Sequence, residues 1–392
     1  MRNYEDYEVI RLAKELVAIE STNVGKFEKE IGNFIAEWLE RETGLPVIKD
    51  EFAPERFNVV CVLPGKVEDP AFVSMHHMDV VPAGTGWETD PFQATIVGNK
   101  MYGRGTADMK SGLAVAMITF RDMVKLAQSG KEPKRSLVFI ATGDEEGDAM
   151  MGAMKALESG YVTGNSFVLD HEPTNNNIYV AHKGKTWFKI TAIGASAHGS
   201  FPWVGVDAIS GMAEIVRNIR NRVNELPCED ESFGRSSVCF GTINGGLNTN
   251  MVAESCTVTL DMRFPPNLTN EDTIKLVEEA CADACKVVEG LKTSIEVVAQ
   301  RPCVKQDNSS VLLAKLQEII EEVTGKRAET PVFTGYTDTG VVAAETGNIN
   351  SMSYGIVGDK YHEANEWVDL DSVLRLYEIS RKIQEEMVFN FE

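Results

Sequence analysis

The sequence predicts an α/β domain interrupted by a smaller α+β insertion, and three observations predict it. In the first half, short and nearly continuous apolar strands alternate with helices, the pattern of a sheet buried on both faces. From 183 to about 300 the order becomes strand, helix, two strands, helix, strand, which is the βαββαβ order of a ferredoxin-like two-layer unit. After that stretch the alternation of helix and strand resumes.

The elements follow in order. Phe27, Ile31, Phe34, Ile35 and Trp38 recur at helical spacing, so 26–43 reads as an amphipathic helix that stops at Gly44. NVVCVLPG (58–65), AFVSMHH (71–77), SLVFIATG (136–143) and SFVLD (166–170) read as strands, with a helix over 111–128 between the second and third. In the insertion the strands are TWFKITAIG (186–194), SSVCFGTI (236–243), SCTVTLDMRF (255–264) and SIEVVAQ (294–300), and the helices 206–225 and 271–289. A helix over 310–323, the loop FTGYTDTG (333–340), the strand SMSYGIV (351–357) and a helix from about 371 to 388 complete the chain. The division is therefore 1–182 with 301–392 as one domain, and 183–300 as the other.

Composition narrows the function. The 392 residues carry 38 Lys+Arg against 59 Asp+Glu, a formal charge of -21, which opposes nucleic acid and anionic membrane surfaces. The densest basic stretch, KEPKR at 131–135, reads as a solvated turn. The longest apolar run, LAVAMITF at 113–120, is far short of the ~20 residues of a membrane span. The N-terminal MRNYEDYE has no apolar signal-peptide core. Seven cysteines lie scattered with no CxxC pair, and Cys281 and Cys285 read as small core side chains on one helix. These features lead to the expectation of a reduced, cytoplasmic setting.

Five of the clusters that carry chemistry follow strands or open helices. HHMDVVP (76–82) sets His77 and Asp79 two apart, the spacing of a histidine ligand whose second ring nitrogen is held by a carboxylate, or of a solvated strand end. YGRGTADMKSG (102–112) lacks the glycines of a phosphate cradle, leaving Asp108 in a glycine-rich loop as a helix cap or a ligand. In ATGDEEGDAMMG (141–152) the adjacent Glu145 and Glu146 cannot point the same way, so one suits a metal and the other a base. Like charges so placed at a strand end are costly without a cation. LDHEPT (169–174) brings Glu172 after another buried strand, and YHEANEWV (361–368) carries His362. Such strand ends are where α/β sheets build their sites. Mixed N/O ligands, three per ion with one shared, are what two Zn²⁺ ions about 3.5–4 Å apart require.

With these motifs in hand, the chain resembles the di-zinc aminoacylase and carboxypeptidase family that includes acetylornithine deacetylase, succinyl-diaminopimelate desuccinylase, aminoacylase-1 and glutamate carboxypeptidase. The resemblance rests on HMDVVP, YGRGTADMKSG, DEEG, HEPT, ASAHGS and YHEANEWV, and spans nearly the whole chain. It implies a zinc-peptidase-like catalytic domain and, in the insertion, a lid or dimerisation domain. It implies Asp108 as the bridge, with His77, Asp108 and Glu172 on one Zn²⁺ and Asp108, Glu146 and His362 on the other, and Co²⁺ able to substitute. Asp79 would orient His77, and Glu145 would be the general base. His198 of ASAHGS would stabilise the tetrahedral intermediate, and Asn250 and Arg263 would bind the substrate carboxylate. A cis peptide bond between Asp108 and Met109 is also implied, as is a two-fold dimer through the inserted domains with His198 acting on the partner's site. Two departures stand out. His76 replaces a usual glycine and offers a second histidine to the metal, and NMVAES (250–255) replaces a proline-containing turn. His182, His171 and Asp338 are expected to be structural or positional.

The resulting expectation is removal of an acyl group from an anionic N-acyl amino acid. A carboxypeptidase or dipeptidase of the same family is the alternative, and a non-catalytic binding homologue the third reading.

Overall fold

The computed structural model describes residues 2–147 and 149–391. The chain opens with helices α1 (Glu8–Ala18) and α2 (Lys29–Thr43), then strands β1 (Val47–Ala53), β2 (Arg56–Leu63) and β3 (Val67–His77). A hairpin of β4 (Thr95–Val97) and β5 (Lys100–Tyr102) leads into α3 (Ser111–Gln128), β6 (Arg135–Thr142), α4 (Met151–Glu158) and β7 (Phe167–Asp170). Next come β8 (Gly184–Ile193), α5 (Ala208–Glu225), β9 (Ser237–Gly245), β10 (Ser255–Phe264), α6 (Asn270–Val287) and β11 (Lys292–Arg301). The last stretch holds α7 (Val311–Thr324), α8 (Asp338–Thr346), β12 (Ser351–Ser353), β13 (Gly358–Asp359), β14 (Trp367–Asp369) and α9 (Leu370–Glu385).

The chain forms two compact units. One comprises the chain up to Val180, Gln306–Pro331 and the residues from Thr337 on; the other comprises Ala181–Lys305 and Val332–Tyr336. The loop FTGYTDTG is thus divided between them.

The first unit is built on a six-stranded sheet in the order β1-β2-β6-β3-β7-β12. Its four strands from β6 to β12 run parallel, while β1 and β2 are antiparallel. β6 is buried along its whole length, as a strand covered on both faces must be. Register brings His77 opposite Thr142, and Ser353 opposite Asp170, so β3 ends with β6 and β7 with β12, all four at the same edge of the sheet. That alignment is what gathers the chemistry. The core behind it draws on Leu12 and Leu16 of α1, Leu113 and Phe120 of α3, and Leu376 and Ile383 of α9.

The second unit has an antiparallel sheet in the order β11-β8-β10-β9. Side chains along β10 alternate between buried and part-exposed, the mark of a sheet with one covered face. Ile190 and Val258 of the sheet, Ile215 of α5 and Val277 and Cys281 of α6 share its core, with Cys285 packed at the edge. Caps fix the helix starts: the Asp207 side chain accepts from Ile209 and Ser210, and Thr269 and Asp272 form a capping box at α6.

Three details depart from the sequence reading. The helix expected from residue 26 starts at Lys29, because Phe27 sits at φ 58° and the Glu28 carboxylate is drawn to Arg56 and the Asp144 amide. The strand expected over 351–357 is three residues long, since its later part supports loops rather than a neighbour strand. KEPKR is not a solvated turn throughout: Arg135 is buried, its guanidinium 4.9 Å from the Phe167 ring and 5.2 Å from that of Phe391. Among the described residues, no helix is long and apolar enough to cross a membrane.

Candidate metal centre

At the end of β3, His76 and His77 point to opposite sides of the sheet, as successive strand residues do. His77 is buried, and its Nδ1–H donates to the Asp79 carbonyl at 2.9 Å. A neutral ring so anchored turns the lone pair of Nε2 outward. That atom meets Asp108 Oδ1 at 3.0 Å and Glu172 Oε1 at 3.6 Å. A lone pair facing two carboxylates is repulsive unless the ring is protonated or a cation lies among them. The cation is the arrangement of a metal-ligating histidine.

His76 does not enter this cluster. Its Nε2 pairs with Ser74 Oγ at 2.7 Å and its Nδ1 accepts from the His171 amide at 3.2 Å. His171 is likewise occupied elsewhere, by the Tyr354 carbonyl and Ser380 Oγ, both at 2.9 Å. Burial lowers the His171 pKa to about 4 and holds that of His76 well below the usual value, so both are neutral packing groups.

Asp108 follows Gly105, which takes φ +81°, and the Asp108–Met109 peptide is cis. Its two oxygens face different partners: Oδ1 faces His77, and Oδ2 lies 3.5 Å from His362 Nε2. His362 Nε2 also lies 3.0 Å from Glu146 Oε2. Two groups able to hold a metal ion result, His77–Asp108–Glu172 and Asp108–Glu146–His362, with Asp108 common to both. In each, the ligand atoms lie within 4.8 Å of one another.

The electrostatics fit a cation. Burial and the charge of Asp108 push the Glu172 carboxyl well above its ordinary value, and burial raises Glu145 similarly. Hydrogen bonds to Asp108 and Glu146 raise His362 to about 10. Burial alone would raise Asp108, but hydrogen bonds from His362 and His77 hold it well below the normal carboxylate range. Protons are thus drawn to the histidines and to two carboxyls to offset crowded negative charge, a task that divalent cations perform without protonating any ligand. Two imidazoles and three carboxylates are a donor set suited to zinc-type ions.

The acidic loop is fixed from two sides. The Asp79 carboxylate accepts from the amides of Glu145 at 3.2 Å and Glu146 at 3.1 Å. It lies 3.8 Å from His77 Nδ1, so the atom that orients the ring is the Asp79 carbonyl, and the carboxylate holds the glutamates. Glu28 accepts from the Asp144 amide, and Arg56 joins Glu28 to Asp144. Asp338 accepts from Thr142 Oγ1 at 2.5 Å beside this loop. Asp148 lies outside the described residues. Sequence reasoning gives no role to Glu28, Arg56, Arg104 or Glu366. For Glu366 there is a signal, since it lies four residues after His362 in the same motif.

Three further candidates belong to the second unit. His198 is exposed, with Nδ1 hydrogen-bonded to the Ser200 amide at 3.1 Å and its hydroxyl at 2.7 Å. Asn250 lies alongside, its carbonyl accepting from the Gly199 amide at 2.7 Å. Arg263, on β10, is gripped by Asp261 two residues earlier, through Nε at 2.8 Å and Nη2 at 2.9 Å, leaving Nη1 without a partner. His182 is buried in the same unit, its ring centroid 5.4 Å from that of Tyr336, and burial lowers its pKa to about 4.

Comparison with known proteins gives the chain's family. The family model "Peptidase family M20/M25/M40" matches residues 73–386. A probable succinyl-diaminopimelate desuccinylase from Staphylococcus aureus is 25% identical over 417 aligned residues, covering 97% of this chain and 98% of the relative. Among solved structures, a Staphylococcus aureus tripeptidase superposes with a TM-score of 0.77 at 23% identity, covering 98% of both chains. A dinuclear metal-binding peptidase from Bacillus subtilis superposes with a TM-score of 0.66 at 16% identity, also over 98% of both. With the family pattern matched from the middle of β3 to the end of α9, the chain belongs to peptidase family M20/M25/M40, enzymes that act on amide bonds.

Proposed function

We propose that the protein is a di-zinc amide hydrolase that removes the acyl group from an N-acyl amino acid. The observation that carries this reading is the pair of trios sharing Asp108. One Zn²⁺ is assigned to His77, Asp108 and Glu172, the other to Asp108, Glu146 and His362, with Co²⁺ as a substitute. When bound, such ions acidify water and polarise the scissile carbonyl.

The chain's own residues do the rest. Glu145 takes a proton from the attacking water and delivers it to the amine as the C–N bond breaks. Burial holds its proton affinity above that of a solvated glutamate, which suits a group that must accept and then release a proton. His198 donates to the oxyanion of the tetrahedral intermediate. Arg263, through Nη1, and Asn250 hold the substrate carboxylate, a local positive site set against an overall charge of -21. In this reading the first unit is the catalytic domain, and the second a lid that also joins two copies into a homodimer with His198 acting across the interface. The setting is cytoplasmic, and the substrate a small anionic amide.

The likeness to the desuccinylase supports deacylation, and the likeness to the tripeptidase favours a second reading, a peptidase that recognises a free amine. A panel of N-acetyl, N-succinyl and N-formyl amino acids and short peptides, assayed for amine release with added Zn²⁺ or Co²⁺, separates them. Cleavage of N-acylated substrates with a blocked amine supports the first. Loss of cleavage when a test dipeptide is N-acetylated establishes the second.

A further inference from the structure

Glu366 lies four residues beyond His362, immediately before β14, and its side chain is fully buried. Its carboxylate does not face the cluster of ligands. Instead it accepts four hydrogen bonds from the glycine-rich segment that carries Asp108. Oε1 takes the amides of Ala107 at 2.8 Å and Asp108 at 3.0 Å. Oε2 takes the amide of Gly105 at 3.0 Å and Arg104 Nη1 at 2.5 Å. The Glu366 carbonyl also accepts from the Gly103 amide at 3.1 Å. Arg104 in turn reaches the carbonyls of Glu363 at 3.2 Å and Pro82 at 3.4 Å through Nη2, and its guanidinium stands 5.4 Å from the Trp87 ring.

One ion pair therefore ties together three separate segments: the chain just after His77 and Asp79, the loop carrying Asp108, and the loop carrying His362. A buried carboxylate is costly to desolvate, and a buried ion pair is weak grounds for overall stability. What this one supplies is geometry. Three backbone amides within four residues are pinned by one carboxylate, and a loop with glycines at 103 and 105 would otherwise have many conformations.

We propose that Glu366, with Arg104, is the positioning residue of the metal centre, holding Asp108 and His362 at the separation that lets one carboxylate serve both trios. The proposal rests on the metal reading given above. It assigns no contact with substrate to Glu366, which acts through the backbone of 105–108. Partners of this kind behind a ligand change metal affinity by about 10–100-fold when lost.

The test is Glu366→Gln in the full chain. The amide keeps one acceptor oxygen but turns an NH₂ toward backbone donors, so at least one of the two donor pairs loses its acceptor. Zn²⁺ affinity is measured by chelator competition, and amide hydrogen exchange is followed at Gly105, Ala107 and Asp108. The expected result is 10–100-fold weaker Zn²⁺ binding together with exchange about 10-fold faster at those three amides. Arg121→Gln, which breaks a pair with Glu8 and Asp122, serves as the control and should leave both readouts unchanged. Wild-type affinity and wild-type exchange in Glu366→Gln overturn the proposal, as does an equal loss in Arg121→Gln. If Glu366→Gln does not fold, Arg104→Lys decides: it keeps the charge but gives up the fork to Pro82 and Glu363, and unchanged Zn²⁺ affinity there overturns the proposal. A wild-type chain that binds no Zn²⁺ refutes the metal reading instead, and the exchange rates then decide the loop-pinning by themselves.

Discussion

His77 and His198 are assigned to the same reaction, yet the structure holds them in opposite ways. His77 is 1% exposed, donates to the Asp79 carbonyl, and has its Nε2 aimed into a set of carboxylates. His198 stands exposed, with Ser200 against its Nδ1. The contrast extends to their neighbours. Glu145 and Glu146 are set in place by amides bonded to Asp79, whereas Asn250 lies on an exposed turn and Arg263 is occupied by Asp261. The first unit has its candidate groups ordered by folding. The second keeps His198 and Asn250 on a surface, where side-chain freedom must be given up on binding. Metal content should therefore respond to losses in the first unit alone, and kinetics to losses in either.

The largest expected effects lie within the adjacent glutamates. Glu145→Ala should retain its metal and lose at least about 10²-fold in turnover, the scale of a lost general base. Glu146→Ala should lose metal, and activity with it. Elemental analysis alongside kcat reads both, and swapped phenotypes would reverse the assignment of the pair.

His198→Ala should come next, with metal content unchanged and turnover down by about 10²-fold, the lower end of the range for one missing oxyanion donor. Mixing it with Glu145→Ala under subunit exchange should restore about a quarter of wild-type sites if His198 acts on the partner's site in a two-fold dimer. Exchange without recovery places His198 in cis or outside the reaction.

A smaller effect is expected at Arg263. Arg263→Lys should raise KM by roughly 10-fold with little change in metal content, because an ammonium cannot hold Asp261 at two points as the guanidinium does and still offer a fixed further donor to a carboxylate. An unchanged KM removes Arg263 from the substrate site.

The smallest belongs to His76. His76→Ala should cost about 1–3 kcal/mol of stability by stranding the His171 amide, and leave metal stoichiometry alone. A loss of metal would place His76 among the ligands after all.

How much of this could be read from the sequence follows from the range of each interaction. The residues of both trios stand in short motifs directly after strands or in loops, and strand ends in a parallel sheet converge whatever the details of packing. The helices 111–128, 271–289 and 310–323 were legible from their periodicity and fall within a residue or two of α3, α6 and α7. Less legible were features set by distant partners. Arg135 looks solvated until Phe167 and Phe391 arrive over it from elsewhere in the chain. The spacing of His77 and Asp79 suggested a carboxylate on the ring, but the carboxylate is taken by amides some 66 residues away, and the carbonyl does the orienting. Glu366 shares a motif with His362, which marks the residue, but it accepts from residues about 260 positions earlier, and that pairing has no local pattern. Helix α1 carries a local signal as well, since Val9, Ile10, Leu12, Ala13, Leu16 and Val17 form one buried face.

Metal stoichiometry tests the centre most directly. The full chain is stripped with chelator, dialysed against excess Zn²⁺ and then against metal-free buffer, and its zinc measured against protein concentration, together with that of Asp108→Ala. Two ions per wild-type chain, and loss of both or of all tight binding in Asp108→Ala, is the predicted result, since one carboxylate serves both trios. A single ion per wild-type chain, or an Asp108→Ala variant that keeps one ion at full affinity, would contradict a bridged centre.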